Sequence, residues 1–127
     1  PQIAVADQWM TWADTTLYPA LISTIFMGLI RTPAAERNQQ AIETAIQRAG
    51  EKLAILDGLL VNRPYIMGDA LTMADIAPGA LMYRYFTLPI ARPSLPNVES
   101  WYEQLAGRPA YKTHVMVDYN ALRVAGA

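Results

Sequence analysis

The sequence contains no cysteine among its 127 residues. Disulfide bonds, thiol nucleophiles and cysteine-based metal sites are therefore excluded for this chain. Histidine is nearly absent as well, since His114 is the only one. No group of side chains has the spacing of metal ligands, and the chain lacks a glycine-rich phosphate loop and the serine-hydrolase and zinc-protease motifs. We therefore expect no metal site and no complete active site within this chain.

Charged residues are scarce, at 17% against about a quarter in typical soluble domains. Ten basic and eleven acidic residues give a formal charge of −1, and no segment holds a run of Lys or Arg. Nucleic acid is thus not an expected partner, because binding to phosphates needs clustered cations. Hydrophobic residues make up 53% of the chain, which predicts apolar surface to be covered by another domain or a second copy.

Long hydrophobic runs are missing too. The longest uncharged stretch, from Thr15 to Ile30, has sixteen residues and contains Pro19, whereas a membrane span needs about 20 apolar residues. The sequence also opens without the basic segment of a signal peptide. We expect a cytoplasmic protein that does not cross a membrane.

The sequence does have helical periodicity, and it has no convincing strand. Apolar residues recur at steps of three and four, which predicts an all-α fold: a compact bundle of about five helices in a single domain over residues 1–127. The predicted helices cover residues 5–30, 33–60, 72–88, 97–106 and 108–117. The first is expected to kink at Pro19, and the second to begin with Thr32 as N-cap and Pro33 in the first turn. The third is also expected to kink, at Pro78-Gly79.

The strongest local signal is the segment from Leu71 to Ile76. Thr72 has the position of an N-cap, and the Asp75 carboxylate three residues later can accept from the Thr72 N–H, as in a capping box. The Thr72 hydroxyl is expected to accept from the N–H of Asp75 in return. Leu71 and Ile76 have the spacing of a hydrophobic staple. By itself this motif predicts the start of a buried helix and indicates no chemistry.

Aromatic residues are concentrated on two of the predicted helices. They are Trp9, Trp12 and Tyr18 on the first helix and Tyr83, Tyr85 and Phe86 on the third. Core packing explains each of them singly, whereas as a set they could line an apolar cleft for a small hydrophobic ligand. Asp14 interrupts the apolar run of the first helix, and its carboxylate is either exposed to solvent or directed at a cationic group across an interface.

Seven segments, in order, resemble the helical C-terminal domain of bacterial glutathione transferases. They are residues 6–13, 29–33, 63–69, 71–76, 83–86, 95–98 and 108–111. The resemblance covers nearly the entire chain, and the capping-box segment is its most typical part. It implies a detoxification enzyme whose thioredoxin-like N-terminal domain, absent from this chain, binds glutathione and activates its thiol. Because the chain begins at Pro1 without Met, we expect a piece of a longer protein. Because it has no nucleophile of its own, we expect this piece to be inactive alone.

The resemblance also implies roles for individual residues. Trp12, Tyr18, Tyr83 and Phe86 become candidate contacts for a hydrophobic electrophilic substrate. The first helix would form part of a homodimer interface, with Asp14 near the glutathione amino group across the dimer. Two alternatives remain: a non-enzymatic assembly module, as the same domain forms in translation factors and synthetases, and a separate helical bundle that binds an apolar ligand.

Overall fold

The computed structural model describes all 127 residues, which form helices joined by short connections and no β-strand. Five helices follow one another along the chain: α1 (Gln2–Ile30), α2 (Gln39–Leu59), α3 (Met73–Thr87), α4 (Pro96–Ala106) and α5 (Pro109–His114). Two short 3₁₀ turns, Ala34–Glu36 and Asn120–Leu122, lie between α1 and α2 and in the C-terminal tail. The predicted all-α fold with about five helices is confirmed.

Helix α1 continues through Pro19. Two stretches, Ala13–Leu17 and Pro19–Phe26, have the wider hydrogen bonding of a π-helix, and Tyr18 between them has ordinary helical angles. Because proline removes one N–H donor, carbonyls around it need other arrangements. The Thr24 hydroxyl donates to the Pro19 carbonyl at 3.2 Å. The distortion expected at Pro19 therefore takes the form of π-helical turns in a helix that does not end there.

The predicted start of α2 is wrong. Thr32 is not an N-cap, because its hydroxyl donates backwards to the Met27 carbonyl at 2.9 Å. Pro33 is extended, with ψ of 144°, and the helix begins six residues later behind Asn38. The side-chain carbonyl of Asn38 accepts from the Ala41 N–H at 3.1 Å and is the true N-cap. The intervening segment is held by the guanidinium of Arg37, which donates to carbonyls near the end of α1 at 2.9 Å.

The core lies along α1 and the seam of α2. The seam of α2 consists of its apolar residues at steps of three and four: Ile42, Ala49, Leu53, Leu56 and Leu60 are all buried, and Ile46 is half-buried. Opposite them, α1 contributes fully buried side chains that include Leu17, Leu21 and Ile25. By length and composition α1 could cross a membrane, but one face of this helix packs in the core.

Helix α3 is one continuous α-helix with Pro78 in its interior. Pro78 and Gly79 are both buried, and the absent side chain of Gly79 lets α4 approach closely. A Cβ at this position would lie 2.8 Å from Cδ1 of Leu105. Helix α4 begins one residue before the predicted start, and α5 ends at His114, three residues before the predicted end.

The C-terminal tail folds back on the end of α1. The Val124 N–H donates to the Ile30 carbonyl at 2.9 Å, and the Ala34 N–H donates to the Gly126 carbonyl at 2.7 Å. The guanidinium of Arg31 donates to the Leu122 carbonyl at 2.7 Å. The first of these bonds satisfies a carbonyl that the end of α1 leaves without a partner, and the other two hold the tail against the segment after α1.

Candidate functional site

The start of α3 is built around the Asp75 carboxylate, which is fully buried. Both halves of a capping box are present. The Thr72 N–H donates to Oδ2 of Asp75 at 2.9 Å, and the Thr72 hydroxyl accepts from the Ala74 N–H at 3.2 Å. Oδ1 of Asp75 accepts two further bonds, from the Ile66 N–H at 2.8 Å and from the Trp101 indole N–H at 2.9 Å. One carboxylate therefore joins the start of α3 to the preceding connection and to α4.

The two staple residues lie beside this box and are only partly covered. Leu71 is half-buried, whereas Ile76 keeps 55% of its surface exposed. Both line a pocket of about 340 Å³ between α3 and α5, together with Ala80, Tyr111 and Val115. Met73, next to the cap, is 57% exposed. The start of α3 therefore presents apolar side chains to the outside as well as to the core.

The four aromatic residues predicted to bind substrate do not line one common pocket. Tyr18 is 46% exposed and lines a pocket of about 260 Å³ between α1, α3 and the tail, whose lining includes neither Trp12, Tyr83 nor Phe86. The Trp12 ring packs edge-on against Trp9 at 5.2 Å between centroids.

The two α3 aromatics of this set point to different neighbours. The Tyr83 ring lies 6.0 Å from the ring of Tyr119 in an edge-on arrangement. Phe86 stacks on Tyr102 of α4, with centroids 4.7 Å apart and planes at 24°. Phe86 therefore belongs to the contact between α3 and α4, and Tyr83 to the contact between α3 and the tail.

Sequence reasoning missed the part of the Tyr18 pocket that comes from the tail. Tyr119 is buried, its hydroxyl lies 2.8 Å from that of Thr87, and its ring packs edge-on against Phe26. The Arg84 guanidinium lies 4.1 Å from the centre of the Phe26 ring and lines the same pocket. Tyr119 is the single aromatic residue of the tail, and it was the one signal in the sequence that could have indicated that the tail lines this pocket.

A larger groove of about 520 Å³ lies between α1 and α2 and has a different character. Its lining is mostly polar and includes four threonines, Asn38, Gln40 and Arg48. Asp14 is exposed on α1, next in sequence to Thr15 of this groove. The carboxylate of Asp14 makes no contact with the pocket that Tyr18 lines.

The groups able to ionise do not form a catalytic set. Burial raises the pKa of the Tyr111 phenol well above 10, and the Tyr111 hydroxyl donates to the Gly79 carbonyl at 2.7 Å. Burial also raises the pKa of Tyr85 and of Tyr102. The phenols of this core are thus held neutral and are poor bases at neutral pH. His114 is exposed, and no three His, Asp or Glu side chains lie close enough to hold a metal ion.

Comparison with known proteins identifies relatives over nearly the whole chain. Residues 18–109 match the family model described as "Glutathione S-transferase, C-terminal domain". Glutathione S-transferase GstB of Escherichia coli K12 is 38% identical over 114 residues, which cover 90% of this chain and 54% of that protein. Elongation factor 1-gamma of Artemia salina is 30% identical over 124 residues, 94% of this chain and 27% of that protein.

Solved structures agree with the family match. The theta class glutathione S-transferase of Xanthomonas axonopodis pv. citri superposes with a TM-score of 0.85 at 40% identity, covering 91% of this chain and 60% of that one. The same enzyme has also been solved with glutathione bound. The present chain spans about half the length of the curated transferases it matches.

Proposed function

The chain belongs to the glutathione S-transferase C-terminal domain family, and from this premise we propose that it is the helical half of a glutathione transferase that conjugates glutathione to hydrophobic electrophiles. Residues 1–127 would form one domain of a longer cytoplasmic protein. A thioredoxin-like domain in the other half would bind glutathione and activate its thiol. The contribution of this chain to the rate would be proximity, because it holds the electrophile beside the thiolate.

One observation carries this proposal: the chain has pockets and aromatic surface but no group suited to activate a thiol. Its buried phenols have raised pKa values, its only histidine is exposed, and it has no cysteine. Such a surface can bind and orient a molecule without reacting with it. We therefore propose that residues 1–127 alone are inactive.

For the electrophile we propose the pocket between α1, α3 and the tail. Tyr18 and Ile22 form one side of this pocket, and Arg84 and Tyr119 form the other. This lining combines apolar contact with a phenol and a cation that can orient a polar group on the substrate. Trp12, Tyr83 and Phe86 remain candidates for contacts that the complete protein would add.

For glutathione and for the dimer we propose roles for α1. Its exposed face would contact a second copy of the protein, and the Asp14 carboxylate, exposed on that face, would lie near the amino group of the glutathione held by that copy. The resemblance and the exposure of the Asp14 carboxylate support these roles.

The thioredoxin-like domain would dock on the outer face of α3. Met73 and Ile76 expose more than half of their surfaces there, beside the apolar pocket between α3 and α5. Exposed apolar side chains grouped beside an apolar pocket are typical of an interaction site.

The test compares the complete protein with residues 1–127, using 1-chloro-2,4-dinitrobenzene and glutathione. We expect conjugation by the complete protein and none by residues 1–127. In the complete protein, Tyr18→Ala and Tyr83→Ala should each raise KM for the electrophile more than KM for glutathione. The control is Ile55→Ala, at an exposed position on α2. Conjugation by residues 1–127 alone would refute the proposal that the thiol is activated in the other domain. An unchanged KM for the electrophile in Tyr18→Ala and Tyr83→Ala would assign both tyrosines to packing.

A non-enzymatic assembly module is the second candidate. It is supported by the elongation factor 1-gamma relative, which is less similar to this chain than the transferases are. A complete protein that conjugates no electrophile but co-purifies in a stable complex would favour this module over the enzyme.

A further inference from the structure

Arg84 is a half-buried cation that has no hydrogen-bond acceptor and no ion-pair partner in the chain. Only one other arginine, Arg37, is half-buried, and its guanidinium donates to the Gly28 and Leu29 carbonyls at 2.9 Å. The guanidinium of Arg84 instead contacts the Phe26 ring, with its central carbon 4.1 Å from the ring centre. Partial removal of a charge from water is unfavourable unless other groups pair with it. Arg84 therefore has N–H donors that the fold leaves free.

Two aromatic rings hold the Arg84 guanidinium in place. The Tyr119 ring lies on the tail with its centre 6.0 Å from the guanidinium carbon, and both this ring and that of Phe26 are buried. Contact with an aromatic ring stabilises a cation through the π-electrons and requires none of its N–H donors. The cation is thus fixed in position before any ligand binds.

The pocket that Arg84 lines, of about 260 Å³ between α1, α3 and the tail, supplies no anion to pair with it. Arg84 is the only permanent cation of the lining, and Asp118 is its only carboxylate. Asp118 is exposed, and its Oδ1 accepts the Asn120 N–H at 2.9 Å within the tail. Most of the remaining lining is apolar and includes Ile22 and Leu81. A ligand that matches this pocket has an apolar body and one acidic group.

We propose that Arg84 binds an acidic group of the electrophile, so that the preferred substrates are hydrophobic electrophiles that carry a carboxylate or a sulfonate. This inference rests on the function proposed above, because it concerns the same pocket. A guanidinium can donate two parallel N–H bonds to one carboxylate, which fixes the orientation of the substrate.

The acidic group takes no part in the reaction. The thiolate sulfur of glutathione forms a bond to the carbon that carries the leaving group, and the leaving group departs with the electron pair of the bond that breaks. Arg84 holds the unreactive end of the substrate while this exchange takes place. Arg84 is therefore a residue that determines specificity, and it is not expected to affect the conjugation of neutral electrophiles.

The test uses the complete protein and two electrophiles of similar shape, 4-chloro-3-nitrobenzoate and 4-chloro-3-nitrobenzamide, of which only the first is charged. In Arg84→Gln we expect KM for the benzoate to rise about tenfold, the lower end for hydrogen bonds to a charged group, and KM for the amide to change by less than about twofold. Arg84→Lys keeps the charge without the paired donors, so its KM for the benzoate should lie between these values.

The matched control is Arg123→Gln, which removes an exposed cation from the tail outside the pocket lining. It should leave KM for both electrophiles unchanged. A general loss of structure in Arg84→Gln would raise KM for the benzoate and the amide alike, and equal changes of this kind would overturn the proposal. A rise in KM for glutathione with both electrophiles would also overturn it, because Arg84 would then bind the co-substrate.

Binding without reaction separates this proposal from the transferase function. We would titrate ¹⁵N-labelled residues 1–127 with 3-nitrobenzoate and with 3-nitrobenzamide, which have no leaving group, and follow the amides of Leu81, Arg84 and Tyr119 by NMR. We expect the benzoate to bind more tightly than the amide, and Arg84→Gln to abolish this preference. If so, the anion site stands even when the complete protein conjugates neither electrophile. Equal affinities of the two ligands, or a preference that persists in Arg84→Gln, would exclude the site.

Discussion

The indole N–H of Trp101 donates to the buried carboxylate of Asp75 at 2.9 Å. Trp101 lies on α4 and Asp75 in the first turn of α3, and both are at most 1% exposed. The same carboxylate also accepts the Thr72 and Ile66 N–H groups. A helix cap, which is usually a local device, here also fixes how two helices and a connection pack.

We expect Asp75→Ala to destabilise the chain by about 3 kcal/mol, because it leaves buried N–H groups of Ile66 and Trp101 without an acceptor, each costing about 1–3 kcal/mol. An ordinary cap is worth about 1 kcal/mol. Urea unfolding followed by circular dichroism measures the difference. Trp101→Phe removes a single donor and should cost less than Asp75→Ala. A loss of 1 kcal/mol or less for Asp75→Ala would show that the cap acts only locally.

Asp57 caps a helix to which it does not belong. Its carboxylate, on α2, accepts the Asn97 N–H at 2.8 Å and the Val98 N–H at 3.0 Å, in the first turn of α4. We expect Asp57→Ala to lower the free energy of unfolding by about 1–2 kcal/mol, through loss of the cap and of a negative charge at the helix N-terminus. Glu51→Ala, exposed on the same helix, should change it by less than about 0.5 kcal/mol. If both substitutions changed the free energy of unfolding equally, Asp57 would not act as the cap of α4.

Two glycines should respond to alanine with opposite signs. At Gly79 the new Cβ would meet Leu105 at 2.8 Å, so we expect Gly79→Ala to cost about 1–3 kcal/mol through overpacking. At Gly58, on the exposed side of α2, a Cβ meets nothing within 4 Å. There we expect a gain of up to about 1 kcal/mol from helix propensity. Thermal melts of both variants measure these changes, and a stable Gly79→Ala would mean that the Leu105 side chain or α4 itself moves aside.

Tyr111 makes stability depend on alkaline pH. Burial raises the pKa of its phenol above the ordinary value near 10. Above pH 10 the unfolded chain loses this proton while the folded chain keeps it, so the free energy of unfolding falls as pH rises. At pH 8 the free energy of unfolding of Tyr111→Phe should be about 1 kcal/mol lower, because the hydrogen bond to the Gly79 carbonyl is lost. Between pH 10 and 11 this free energy should fall less in Tyr111→Phe than in the unmodified chain. If the free energy of unfolding fell equally steeply with pH in Tyr111→Phe and in the unmodified chain, Tyr111 would not cause the pH dependence.

Substitution of Ile76 should affect docking of the proposed thioredoxin-like domain without affecting folding of this chain. It is 55% exposed, so Ile76→Ser should change the stability of residues 1–127 by less than about 0.5 kcal/mol. In the complete protein the same substitution would place a hydroxyl in the proposed domain contact and should lower the melting temperature. Val61→Ser, also exposed but outside the α3–α5 pocket, is the control. Equal melting temperatures of the two complete variants would exclude docking at Ile76.

The start of α2 illustrates where sequence rules failed. Thr32-Pro33 satisfies the local pattern of a helix start, yet the Thr32 hydroxyl turns back to Met27 and the Ala34 N–H bonds to Gly126 in the tail. Gly126 is more than ninety residues away in sequence. No pattern in the segment itself indicates this partner, so the helix start moves to Asn38.

The aromatic candidates show the same limit. The sequence assigned Tyr18 to the first helix and Tyr83 and Phe86 to the third, and all three lie on those helices. Their side chains nevertheless meet different neighbours: the tail for Tyr83, α4 for Phe86, and a pocket completed by the tail for Tyr18. Position on a helix is local, whereas the neighbour of each side chain depends on how helices cross.

The sequence by itself determined the helices, the buried seam of α2 and the pairing of Thr72 with Asp75, because periodicity and capping act over three or four residues. Only the tertiary structure decided that Asp75 also binds Trp101 and that Asp57 caps α4. These contacts join residues that are far apart in the chain, and they form only when the helices pack around one core.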